Sequence, residues 1–143
     1  DYILKREDVY MMKVKVNSAS KDGSGQDYIK KITKFVDMKE YDEAIRYINT
    51  IILEEPGNYK LFYKLADIYS RLADYNKAIE QLERAIILNG KYYEAYYTKG
   101  EILIKLGKTE EAGRVFEKLV ELSPVDSKYN RLAKKMLEVL TAE

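Results

Sequence analysis

The chain has 143 residues, with 25 Lys plus Arg against 24 Asp plus Glu, and formal net charge +1. Bulk charge therefore gives no argument for nucleic acid or an anionic membrane. The sequence holds no Cys and no His, which excludes a thiol nucleophile, a zinc finger, a Ser-His-Asp triad and a histidine proton shuttle. Hydrophobic residues at 46% and charged residues at 34% fit one globular domain.

Residues 1–16 carry two apolar clusters, Tyr2-Ile3-Leu4 and Val9-Tyr10-Met11-Met12, and then Lys13-Val14-Lys15-Val16, which alternates like a strand. The run from Asn17 through Ser18, Ser20, Gly23 and Ser24 to Gly25 has linker composition. Two readings stand for residues 1–16. They are a remnant of an upstream domain or an element packed on the tract after the linker, or they are a tethered ligand for a groove of this chain or a neighbour. The second reading carries a homo-oligomer through residues 1–16. No stretch reads as a signal peptide.

From Gln26 onward the apolar spacing is helical, as at Ile45, Ile48, Ile52 and again at Ile79, Leu82, Ala85, Ile86. It predicts helices over 26–38, 41–54, 59–72, 75–88, 93–106 and 109–122. Asp74, Asn89-Gly90 and Gly107 supply turns between them.

Sliding this tract by 34 residues superposes it on itself. Ala44, Ala78 and Ala112 fall in register, as do Tyr28, Phe62 and Tyr96. So do Phe35, Tyr69 and Leu103; Met38, Leu72 and Leu106; Ile48, Leu82 and Phe116; and Ile51, Ala85 and Leu119. Pro56, Gly90 and Pro124 close the units. A unit of two amphipathic helices cannot bury its apolar face alone, so units must stack. The small column belongs where the helices of a unit cross, because a larger side chain there would overpack. Residues 127–141 form a final amphipathic stretch, with Leu132, Met136, Leu137 and Leu140 on one stripe. It reads as a helix capping the last exposed apolar edge.

Period and columns resemble the tetratricopeptide repeat (TPR). The middle unit fits best, with Phe62, Leu65, Ala66, Tyr69, Ala78, Leu82 and Ala85. The third keeps Tyr96, Gly100, Ala112, Phe116 and Pro124 but has Lys99 in the Leu column; the first has Lys31 and Ile32 where Leu and Gly would stand. The resemblance covers residues 25–126. It implies an all-α helical-repeat solenoid with three helix-turn-helix repeats (25–58, 59–92, 93–126) and a capping helix at 127–141. The domains are then an N-terminal segment and linker, 1–25, and a repeat domain, 26–143.

In this family the first helix of each pair lines the concave face. That places Ile29, Thr33, Val36, Lys60, Tyr63, Lys64, Asp67, Arg71, Tyr97, Glu101, Ile104 and Lys105 in a candidate partner-binding groove. Tyr63 and Tyr97 stand out, since an exposed Tyr offers rigid apolar area and a hydroxyl. Family members that bind chaperone tails clamp a terminal carboxylate with Lys, Asn and Arg. Here Ile29 and Thr33, then Glu94 and Thr98, take those places, and a Glu would repel that ligand.

Paired carboxylates such as Glu54-Glu55 and Glu110-Glu111 read as solvated surface, and no phosphate loop or calcium-loop spacing is present. The expectation is therefore no enzyme, no cofactor and no metal. The chain is expected to be a scaffold or adaptor for a protein or peptide, with no nucleic-acid partner and no membrane insertion. Self-assembly of the repeat module is the alternative. A Cys-free chain suits a reducing cytoplasm, the expected location, and equally the soluble part of an envelope-associated protein.

Overall fold

The computed structural model describes residues 26–142; the readings made for residues 1–25 lie outside them. Among the described residues there are seven helices and no strand. They are α1 (Gln26–Asp37), α2 (Tyr41–Glu54), α3 (Tyr59–Arg71), α4 (Tyr75–Leu88), α5 (Tyr93–Lys105), α6 (Thr109–Leu122) and α7 (Lys128–Thr141). The fold class is the expected all-α helical repeat, and the predicted helix bounds hold to within one residue.

The chain divides into two compact units, one ending at Leu61 and one running from Phe62 to Glu143. The division falls inside α3. In the first unit, Ile32, Ala44, Ile48, Ile51 and Leu61 are buried. The Phe35 ring meets Tyr47 edge-on at 6.0 Å, and the Lys31 ammonium lies over the Tyr47 ring at 4.7 Å. Asn58 Nδ2 donates to the Tyr28 hydroxyl at 3.2 Å, tying the start of α1 to the turn after α2.

The second unit has two apolar clusters. One gathers Ala66, Ala78, Leu82, Ala95 and Ile102 from α3, α4 and α5. The other gathers Leu103, Ala112, Phe116, Leu119 and Ala133 from α5, α6 and α7. Ala78 and Ala112 have no exposed surface, so a bare methyl stands where helices meet, as the 34-residue columns require. Gly100 goes further: a Cβ built on it would come within 2.5 Å of the Phe116 ring. The α5 backbone therefore rests directly on that ring. Helix α7 packs on α6 through Ala133 and through Asn130, whose Nδ2 donates to Val120 O at 3.0 Å and Ser123 O at 3.3 Å.

The turns inside the repeats share one construction. Lys39 (φ 59), Ala73 (φ 57) and Gly107 (φ 75) are left-handed and stand 34 residues apart. After each, the next amide reaches back to close the helix: Glu40 N to Phe35 O at 2.8 Å, Asp74 N to Tyr69 O at 2.9 Å, Lys108 N to Leu103 O at 2.9 Å. This is the six-residue helix-ending loop that glycine favours, and glycine fills one place of three. A Cβ in that conformation costs roughly 1–2 kcal/mol, partly offset by glycine's freedom in the unfolded chain. Ala73→Gly should therefore stabilise the chain by up to about 1 kcal/mol. Urea denaturation checks it: an unchanged or lowered midpoint would contradict the turn geometry.

Candidate functional site

The helices α3, α5 and α7 of the second unit bring a group of tyrosines together. Helical spacing puts Glu94, Tyr97, Thr98 and Glu101 on one stripe of α5. The Tyr63 hydroxyl of α3 donates to Glu94 Oε1 at 3.2 Å. It also lies 3.0 Å from Thr98 Oγ1. With its single proton directed to the carboxylate, Tyr63 accepts from the Thr98 hydroxyl. The Tyr63 ring stands edge-on to Tyr92 at 5.3 Å. Tyr97 packs against buried Phe116 at 5.8 Å and against Tyr129 of α7 at 6.0 Å.

Electrostatics follow from this crowding. Burial, together with the Glu94 charge and opposed by the Thr98 hydrogen bond, pushes the Tyr63 phenol from 10.0 up to about 12. Burial raises the Tyr97 phenol too, with Glu101 adding to it, and burial then Glu94 raise that of Tyr129. Burial also lifts the Glu101 carboxyl, against a smaller opposing pull from Lys105.

A raised phenol pKa means that the unfolded chain releases its proton first. The stability that Tyr63 contributes is complete below pH 10.0 and lost as pH rises towards about 12. A titration read by tyrosinate absorbance and by helix content should show phenols ionising together with helix loss in that window. Tyr63→Phe should remove one late-ionising phenol. Full ionisation near pH 10 with the helices intact would contradict the burial of this group.

The other candidate residues are distributed as follows. Ile29 is exposed, Thr33 spends its hydroxyl on Ile29 O at 2.9 Å, Val36 is half-buried and Lys60 is exposed. Lys64 is exposed beside Tyr63. Asp67 and Arg71 pair at 3.1 Å and are about half exposed, an arrangement worth little to stability. Ile104 packs into the cluster around Phe116. The Lys105 ammonium lies over the Tyr75 ring at 5.7 Å. Sequence reasoning missed Tyr92 and Tyr129. Shifting Tyr97 by one period lands on Arg131 rather than Tyr129, so the register carried no signal for the aromatic that α7 adds.

Clefts among the described residues lie elsewhere, and two of them are well defined by their lining. One, of about 340 Å³ in the second unit, is floored by Ile79, Leu103 and Val115, with the Lys99–Glu83 ion pair at 3.4 Å on its rim. The other, of about 530 Å³ in the first unit, is lined by Lys30, Lys31, Lys34, Phe35 and Met38 among others. Neither touches Tyr63 or Tyr97. Among the described residues, no group of three or more acidic, His or Cys side chains is placed to hold a metal ion. No described helix is long and apolar enough to cross a membrane.

The sequence pattern of the family described as "Anaphase-promoting complex, cyclosome, subunit 3" matches residues 37–119, more than half of the chain. The chain belongs to that family. Its units are tetratricopeptide repeats, as the 34-residue columns imply. No curated protein matches this TPR chain. Solved structures do. The type III secretion chaperone SycD of Yersinia enterocolitica, in complex with a peptide of the translocator YopD, is 16% identical with a TM-score of 0.72 over 82% of this chain and 92% of that one. The first TPR of Spaghetti (RPAP3), bound to an HSP90 peptide, is 25% identical with a TM-score of 0.64, covering 96% of this chain and 97% of that one. The TPR2B domain of yeast Sti1, in a complex with pHsp70, is 13% identical with a TM-score of 0.70 over 82% of this TPR chain and 95% of that one.

Proposed function

We propose that this TPR chain is a non-enzymatic adaptor that binds a segment of a protein partner on its concave face, with residues 26–143 as the working domain. The observation that carries the reading is the tyrosine face of α3, α5 and α7, where Tyr63, Tyr97 and Tyr129 gather around Glu94 and Thr98. Tyrosine gives rigid contact area with little conformational entropy to lose on binding. Hydrogen bonds hold Tyr63 in place before any partner arrives, so the surface is preorganised. The neighbours whose structures contain peptides, SycD with YopD and Spaghetti with HSP90, support the reading by analogy of fold. Lys64, Asp67 and Arg71 would flank the tyrosine face within the second unit. Ile29, Thr33, Val36 and Lys60 would serve a partner segment on the first unit. A cytoplasmic setting suits the proposal, because nothing in it needs a disulfide.

The test is a random-peptide display selection on the whole chain, with affinities then measured for the chain and for the variant carrying Tyr63→Ala and Tyr97→Ala. Losing hot-spot aromatics should weaken the selected peptides at least about tenfold with helix content retained. Unchanged affinity would place the binding surface elsewhere.

A further inference from the structure

The tyrosine face carries a charge pattern that specifies its partner more closely, an inference that rests on the adaptor function. Tyrosine rings in the second unit already receive ammonium groups from the chain itself: Lys77 over Tyr69 at 5.7 Å, Lys105 over Tyr75 at 5.7 Å and Lys128 over Tyr129 at 5.4 Å. Tyr63 and Tyr97 differ. Each has a carboxylate neighbour, Glu94 and Glu101 respectively, and among the described residues neither ring is covered by a cation. Neither carboxylate makes an ion pair among those residues. Exposed Lys64, the nearest base in sequence to Tyr63, pairs with neither, and Lys105 is committed to the Tyr75 ring. Glu94 lies in the first turn of α5, the end of a helix that favours acidic side chains.

We propose that the α5 stripe takes a basic segment of the partner, with one arginine or lysine against Tyr97 and Glu101 and a second against Tyr63 and Glu94. A cation placed there gains a ring face and a carboxylate together. Glu94 and Glu101 are two helical turns apart, about 10.5 Å along the axis. A segment in the polyproline II conformation advances about 3.1 Å per residue with three residues per turn, so two cations three residues apart project from the same side and roughly match that spacing. The partner is thus an extended, dibasic peptide segment. An acidic segment meets the Glu94 and Glu101 carboxylates, the second only partly offset by Lys105, and is disfavoured.

The experiment uses the whole chain and four fluorescein-labelled ten-residue peptides of otherwise identical sequence. Two arginines stand three positions apart in the first, two citrullines in the second, two glutamates in the third; the fourth has two adjacent arginines. Anisotropy titrations are expected to show the spaced diarginine peptide binding about tenfold tighter than its citrulline twin. The adjacent pair should be weaker than the spaced pair, and the glutamate peptide weakest. In a Glu94→Gln, Glu101→Gln variant, which keeps side-chain shape, the arginine advantage should fall to about twofold or less. Equal affinity for arginine and citrulline peptides overturns the inference, as does an advantage that survives the double variant, or no saturable binding of the diarginine peptide up to ~1 mM. Equal affinities that still collapse in the Tyr63→Ala, Tyr97→Ala variant defeat this inference alone and leave the adaptor function standing. Affinities that ignore the tyrosine changes defeat both.

Discussion

Phe116→Ala should lower the stability of the chain by roughly 3–5 kcal/mol, a large share of the ~5–15 kcal/mol that holds a typical domain together. Phe116 has no exposed surface and sits among Leu103, Ala112, Leu119 and Ala133, with Tyr97 against its ring. Removing the ring loses its transfer free energy and leaves a cavity that three helices would have to collapse into. The ring's contact with Gly100 supplies an internal control. Gly100→Ala would normally gain about 1 kcal/mol of helix propensity. Here the new Cβ lands 2.5 Å from the ring tip, and a fully buried ring has no room to retreat, so overpacking of roughly 1–3 kcal/mol should win. Combined with Phe116→Leu, the same Gly100→Ala change should become neutral or favourable. Urea unfolding of the single and double variants measures that coupling. A Phe116→Ala loss below about 1 kcal/mol, or additive costs in the double variant, would contradict the α5–α6 contact.

Asn130→Leu should cost roughly 1–3 kcal/mol and loosen α7. Asn130 is 1% exposed. Its Nδ2 serves Val120 O, Ser123 O and Ser123 Oγ, at 3.0, 3.3 and 3.2 Å, at the point where α6 ends and the chain turns into α7. Leucine fits the volume but leaves those buried acceptors without this donor. The Asn130 Oδ1 itself has no partner in the structure, so the residue's contribution lies on its donor side. Asn130→Asp, which keeps the shape and removes the donors, should be at least as costly. Hydrogen exchange reads the local consequence. Amides of α7 should exchange faster in both variants, while those of α4 keep their protection. Unchanged α7 protection would mean that Ala133 and its apolar neighbours hold the helix without the polar anchor.

The sequence made much of this fold legible because its strongest signals are steric and periodic. A methyl column at 34-residue spacing is hard to mistake, and Ala44, Ala78 and Ala112 all have no exposed surface. The column of Ile48, Leu82 and Phe116 is equally buried. Where one residue type serves two purposes, the pattern failed. Met38 and Leu72 share a column with Leu106, yet they are 57% and 44% exposed. Apolar character alone does not say which side of a helix end faces water. The left-handed turns were announced at Gly107 but silent at Lys39 and Ala73, because tertiary packing imposes a conformation that those side chains do not advertise. The candidate site was half legible. Repeat register put Tyr63 and Tyr97 at equivalent places on the first helices of their units, but did not show that the Tyr63 hydroxyl is occupied by Glu94 and Thr98. That pairing joins residues 31 and 35 positions apart, and no local pattern reports it.

Amide chemical-shift mapping of the whole labelled chain, titrated with a display-selected peptide, tests most directly whether a partner segment lies on the tyrosine face of α3, α5 and α7. Saturable shifts are expected to centre on Tyr63, Tyr97, Thr98, Glu101 and Tyr129, with little change around Ile79 and Val115 in the cleft on α4 and α6. Shifts centred on that cleft, with the tyrosine face silent, would contradict the adaptor surface.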